Sequence, residues 1–66
     1  MDDATKKLLL DAIDTAFKEA VAGVFNNYLT GLSTGQAGAD ERAREGLAYC
    51  AGARADLLKI VEDLHD

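Results

Sequence analysis

Between Leu8 and Leu32 the chain sets large apolar side chains at steps of mostly three or four residues. They are Leu8, Leu9, Leu10, Ile13, Phe17, Val21, Val24, Phe25, Tyr28, Leu29 and Leu32. That spacing gathers them on one broad face of an α-helix. Every aromatic residue except Tyr49 falls in this stretch. Two heptad tracks run through it, Leu10–Phe17–Val24 and Ile13–Ala20–Asn27, giving a seam of alternating large and small residues. Leu9, Val21, Phe25, Tyr28 and Leu32 widen the stripe beyond what a two-stranded coiled coil needs. A single helical partner cannot cover a face this wide.

The helix has clear punctuation. Asp2 and Asp3 are N-cap candidates, and their charge suits the positive end of the helix. No proline interrupts the chain. Thr30 to Gly38 holds three glycines and three hydroxyl residues and reads as the one linker. Gly31 and Gly35 both suit a helix C-terminus, where the left-handed conformation is wanted. Ser33 followed by Gln36 has the spacing of a capping box that would start a second helix early. Asp40, followed by Glu41, Arg42 and Ala43, is the stronger start. The expected single domain, residues 1–66, is therefore helix 1 at about 3–31, a loop at about 32–39 and helix 2 at about 40–64.

Helix 2 carries its apolar residues at Ala43, Leu47, Cys50, Leu57, Val61 and Leu64, and four of these lie seven apart in turn. Its first half is rich in small residues, including Gly46 and Gly52. A glycine inside a helix costs about 1 kcal/mol against alanine, so two of them suggest close backbone approach. Folding the chain near residue 35 makes helix 2 antiparallel to helix 1, with facing positions summing to about 70. Cys50 then lies near Ala20, Leu57 near Ile13 and Leu47 near Val24. Small residues of one helix meet bulky residues of the other, as a tight pair requires. The fold class is all-α: a two-helix antiparallel hairpin.

Sixty-six residues, 48% of them hydrophobic, make a globular rather than disordered chain. A core this short rarely supplies more than about 3–5 kcal/mol. The single cysteine rules out an intrachain disulfide, and one histidine is too few for structural zinc. Self-association remains as the source of further burial. The expectation is a homo-oligomeric helical bundle, most simply a dimer forming a four-helix bundle. Its interface is drawn from Leu10, Phe17, Val21, Val24, Phe25, Tyr28, Leu57 and Val61.

The net charge is −5, with seven basic residues dispersed among twelve acids. Phosphate-backbone binding wants clustered Lys and Arg, so no direct nucleic-acid contact is expected. No run reaches the roughly 18 apolar residues of a membrane span. The acidic start, Met1-Asp2-Asp3, is unlike a secretory signal, and a lone Cys50 suits the cytoplasm.

Few groups could carry chemistry. Glu62 and His65 have a Glu-x-x-His spacing seen in di-metal bundles, but they sit in the last turn, and no metal or cofactor is expected. Asp11 and Asp14 could mimic an acid/base pair, yet aspartates flanked by Lys7 and Lys18 are better read as a solvated face. Cys50 lacks a nearby histidine to activate it and reads as a small packed residue. The loop Thr30–Gly35 lacks the Gly-Lys-Ser/Thr ending of a phosphate cradle. Asn26 and Asn27 could fix oligomer register or lie exposed.

Arg54 occupies the heptad position between Leu47 and Val61. It can pair with Asp14 across the hairpin with its stem on Phe17, or it can bind an anion at a subunit interface with Tyr49 nearby. No catalytic set converges, so the chain is not expected to be an enzyme. The reading is a small acidic regulator, adaptor or inhibitor acting through helix faces on itself and on a protein partner. The alternatives are an oligomer holding an anionic small molecule or nucleotide through Arg54 and Tyr49, and a mobile-element inhibitor that imitates nucleic acid.

Overall fold

A computed structural model describes residues 2–64. It contains two helices, α1 (Asp3–Ser33) and α2 (Ala39–Asp63), folded back against each other as a hairpin. Among the described residues there is no strand. No helix there is long and apolar enough to cross a membrane.

α1 starts where its first free N–H groups find an acceptor. The Thr5 N–H donates to Asp2 Oδ1 at 2.7 Å, so Asp2 is the N-cap. That hydrogen bond holds the Asp2 carboxyl below its ordinary value of 3.8. The helix ends in a Schellman arrangement. Gly35 takes the left-handed conformation at φ 70. The Gln36 N–H reaches Gly31 O at 2.9 Å and the Gly35 N–H reaches Leu32 O at 3.3 Å.

Of the two candidate cap glycines, Gly35 thus takes that role. Gly31 stays within the helix and is buried. A Cβ on Gly31 would lie 3.1 Å from the Ala39 Cβ, so the two backbones approach closely here. α1 therefore runs to Ser33 rather than to about residue 31, and the connection narrows to residues 34–38.

The Ser33–Gln36 capping box does not form. Ser33 Oγ donates back to Thr30 O at 3.0 Å, and Gln36 Oε1 accepts from Arg42 Nη2 at 3.1 Å. Arg42 also donates through Nη1 to Ala37 O at 3.1 Å, so one side chain ties the turn to the first turn of α2. α2 opens from Gly38, at φ 82 and without a side-chain cap. Asp40 and Glu41 supply negative charge at the positive end of the helix.

Contacts along the hairpin fix its register. A Cβ on Gly46 would lie 3.0 Å from Val24 Cγ2, so the missing side chain lets α2 close onto α1. Val24 and Gly46, like Gly31 and Ala39, are positions that sum to 70. Arg54 and Asp14 meet two residues short of that sum. Ile13, Ala39 and Val61 are the buried hydrophobic residues. Leu10, Phe17, Val21, Val24 and Tyr28 on α1, and Ala43, Leu47, Cys50 and Leu58 on α2, are half-buried along the same seam. Ala20 and Asn27, the small and polar members of one heptad track, are exposed.

The Cα atoms occupy 51 × 16 × 8 Å with a radius of gyration of 15.5 Å. A compact domain of this length would have about 11 Å. The molecule is one layer thick, and most apolar side chains have protein on one side only.

Two outcomes follow from these contacts. Gly52 has open space where a Cβ would stand, so Gly52→Ala should raise stability by up to about 1 kcal/mol. Gly46→Ala should gain nothing, because its methyl meets the stiff Val24 side chain. Urea unfolding at matched protein concentration reads both; equal gains would refute the close approach at Gly46. The Asp2 cap should act fully above pH 3.8 and be lost as pH falls through its lowered native value. The protection of the Thr5 amide, with the intrinsic pH dependence of exchange divided out, should show that loss, and in Asp2→Asn that protection should no longer change over this range.

Candidate interaction surfaces

One groove lies between the two helices. Ala16 and Ala20 form its α1 side, Tyr49, Ala53 and Leu57 its α2 side, and Ile13 and Cys50 lie between them. Its volume is about 180 Å³, below the roughly 300 Å³ at which pockets for drug-sized ligands begin. Its apolar character follows from sequence. Ala16 and Ala20 are one helical turn apart, as are Tyr49, Ala53 and Leu57 at steps of four.

Arg54 and Phe17 also line this groove. Arg54 Nε and Nη2 both donate to Asp14 Oδ1, at 3.3 and 3.0 Å. Its guanidinium carbon lies 5.5 Å from the centroid of the Phe17 ring, within cation–π range. The cation therefore already has a carboxylate and an aromatic face. The pair is accessible to water, with side-chain exposures of 39% for Arg54 and 50% for Asp14. The structure thus brings Arg54 and Tyr49 to the same groove, with Arg54 held at its edge and Tyr49 79% exposed.

The expected interface residues divide between different surroundings. Val61 is buried inside its own hairpin. Leu10, Phe17, Val21, Val24 and Tyr28 are half-buried along the seam, each with some surface remaining. Leu57 is exposed on the groove, whereas Phe25 is exposed elsewhere. Phe25 lies nine positions after Ala16, and Leu29 nine after Ala20, which is roughly two and a half turns. Each therefore points away from the groove. Phe25, Leu29 and Leu32 make a second exposed apolar stripe on the outside of α1. One flat interface cannot take both Phe25 and Leu57.

Among the described residues the remaining polar groups lie at separate places along the hairpin. The Asp40 carboxylate pushes the Tyr28 hydroxyl above its ordinary value of 10.0. Asp11, Asn26 and Asn27 are exposed, and Asn27 borders a small depression with Tyr28 and Arg42. A shallow open hollow at the loop end is edged by Asp40, Glu41 and Arg44. Among the described residues no three Cys, His, Asp or Glu side chains group as metal ligands. His65, and with it the Glu62–His65 spacing, lies outside the described residues.

Arg42, which the sequence presents only as part of the helix 2 start, and Ala16 have structural roles that apolar periodicity does not register. An arginine four residues after a glycine turn was the available signal for the first. Alanines four apart beside the apolar stripe were the signal for the second.

Compared with protein family models, with curated proteins and with solved structures, the chain matches none.

A double-mutant cycle on Asp14→Ala and Arg54→Ala should give a coupling of about 0.2–1 kcal/mol, as for water-accessible pairs. Added salt should shrink it. Arg54→Ala should cost more than Asp14→Ala, because the stem over Phe17 is lost as well. Equal single-mutant costs in urea unfolding would show that the Phe17 contact contributes nothing.

Proposed function

We propose that this chain is a small acidic interaction protein without catalytic chemistry, a regulator, adaptor or inhibitor, that works as a self-associated helical bundle in the cytoplasm. The simplest form is a dimer with four helices. One observation carries the reading. Among the described residues eight large hydrophobic ones are exposed, including Leu8, Phe25, Leu29, Tyr49 and Ile60, while Ile13, Ala39 and Val61 are the buried apolar ones. Soluble monomers rarely leave large apolar stripes uncovered, and such surface marks association. The net charge of −5 favours a partner with a basic face and disfavours phosphate backbones.

Two separate apolar surfaces suit two separate contacts. One would hold the bundle together and the other would engage a protein partner through a helix face. The reading in which Arg54 and Tyr49 hold an anionic ligand draws support from their shared groove. It is the weaker reading because Asp14 already accepts from Arg54 Nε and Nη2, and its negative charge stands beside any incoming anion. The acidity also fits an inhibitor that imitates nucleic acid, without any residue that singles this out.

Native mass spectrometry of the purified protein separates these readings. The expected result is a clean multiple of 7.0 kDa with no added mass. Added mass that disappears on unfolding would replace this reading with the ligand-binding one. A folded monomer would remove self-association and leave the apolar stripes as faces for a different protein.

A further inference from the structure

We infer that the groove between α1 and α2 is the dimer interface, and that a second copy of this chain occupies it about a two-fold axis parallel to the hairpin. In this arrangement α2 of each copy lies over α1 of the other. The inference rests on the self-association proposed above and specifies which face and which symmetry it uses.

The first argument is area. The chain exposes 5060 Å², whereas a compact monomer of 7.0 kDa would expose about 4,000 Å². The excess is about 1,000 Å² per chain. A standard stable interface buries about 800 Å² on each partner. The surplus surface is therefore the amount one face-to-face contact with an equal partner would remove.

The second argument is charge. The α1 residues that line the groove, Ile13, Ala16, Phe17 and Ala20, are uncharged; Ala12 and Gly23 extend the Ala16–Ala20 row at steps of four and three, with Glu19 at its border. Of the α2 residues that line it, Tyr49, Cys50, Ala53 and Leu57 are uncharged and Arg54 is charged; the exposed Ile60 and Leu64 continue the Leu57 row at steps of three and four, with Asp56 at its border. The opposite stripe of α1 is interrupted, since Lys18 lies seven residues before Phe25 and Lys7 and Asp11 lie near the same side. Burying the groove side leaves those charges in water. Arg54, the one cation at the groove, enters already paired with Asp14.

The third argument is shape, and it selects the symmetry. The α1 side of the groove is low, with Ala16 and Ala20. The α2 side is high, with Tyr49, Leu57 and Ile60 exposed above it. A two-fold axis along the hairpin sets the high side of each copy on the low side of the other. Such a contact is isologous and complementary to itself. In the observed register Leu57 is level with position 13, so it would insert between Ala12 and Ala16 of the second copy. Tyr49 is level with position 21 and would insert near Ala20 and Gly23. These are knobs entering holes, and every neighbouring pair of helices is antiparallel. A two-fold axis perpendicular to the hairpin would instead stack Tyr49 and Leu57 ridges on each other and leave a gap over the alanines.

Sedimentation equilibrium of three proteins tests the face. Wild type should have twice the chain mass. Ala20→Glu, an exposed position on the groove floor, should fall twofold in mass to 7.0 kDa while keeping its helical circular dichroism. Phe25→Asp should remain dimeric. A dimer that survives Ala20→Glu, or is lost in Phe25→Asp with helicity kept, overturns the groove while leaving self-association intact. A monomeric wild type overturns both. Cross-linking tests the symmetry in a Cys50→Ala background. Ala20→Cys protein mixed with Tyr49→Cys protein should form a disulfide-linked heterodimer on oxidation, and Ala20→Cys alone should not link. Self-linking of Ala20→Cys without the mixed product would contradict the parallel axis.

Discussion

Two helices touch along one line, and everything else about this protein follows from that limit. A helix in a hairpin can cover only the strip that faces its neighbour. Here the strip holds Ile13, Ala39 and Val61 as its buried apolar members. The apolar stripe of α1 is wider than the strip, so Phe25, Leu29 and Leu32 emerge on one side. The first half of α2 contributes small side chains to the contact, which brings the backbones close but buries little. The result is a layer 8 Å deep in its Cα atoms and 51 Å long.

Within that limit the register is well determined. Gly46 admits Val24 and Gly31 admits Ala39, so two close approaches set the spacing toward the loop end. Toward the open end, Arg54 reaches Asp14 over the Phe17 ring. The turn is held independently by the Gly35 conformation and by the two hydrogen bonds from Arg42. A slip by one residue would place the Val24 methyls against a side chain other than glycine. The geometry of the hairpin is thus specified by local chemistry, even though its buried area is small.

Much of this architecture is legible in the residues. Helical spacing, the glycine-rich linker and the sum rule of about 70 lead to an antiparallel hairpin, and the same arithmetic places Arg54 beside Asp14 and Phe17. The details that are not legible have physical causes. A heptad track drifts by about 20° per repeat on a helix of 3.6 residues per turn. Leu57 and Leu64, late in the Ala43–Cys50 track, are accordingly half out of the seam, and Ala20 and Asn27 leave it on α1. Val24 meets Gly46 because a close contact follows the absence of a side chain, which apolar periodicity does not register. Ser33 and Gln36 have a capping spacing, but Arg42 and the Thr30 carbonyl compete for them. The groove was hardest to foresee, since alanines are read as filler until their taller neighbours across the hairpin are placed.

The central claim is that this one-layer hairpin draws its stability from a second copy. The most direct test is thermal unfolding followed over a roughly hundredfold range of protein concentration. An obligate bundle gains about 2.7 kcal/mol over that range by mass action, so its midpoint should climb steadily with concentration. A midpoint that stays constant, with full helicity retained at the lowest concentration, would show that the hairpin stands alone.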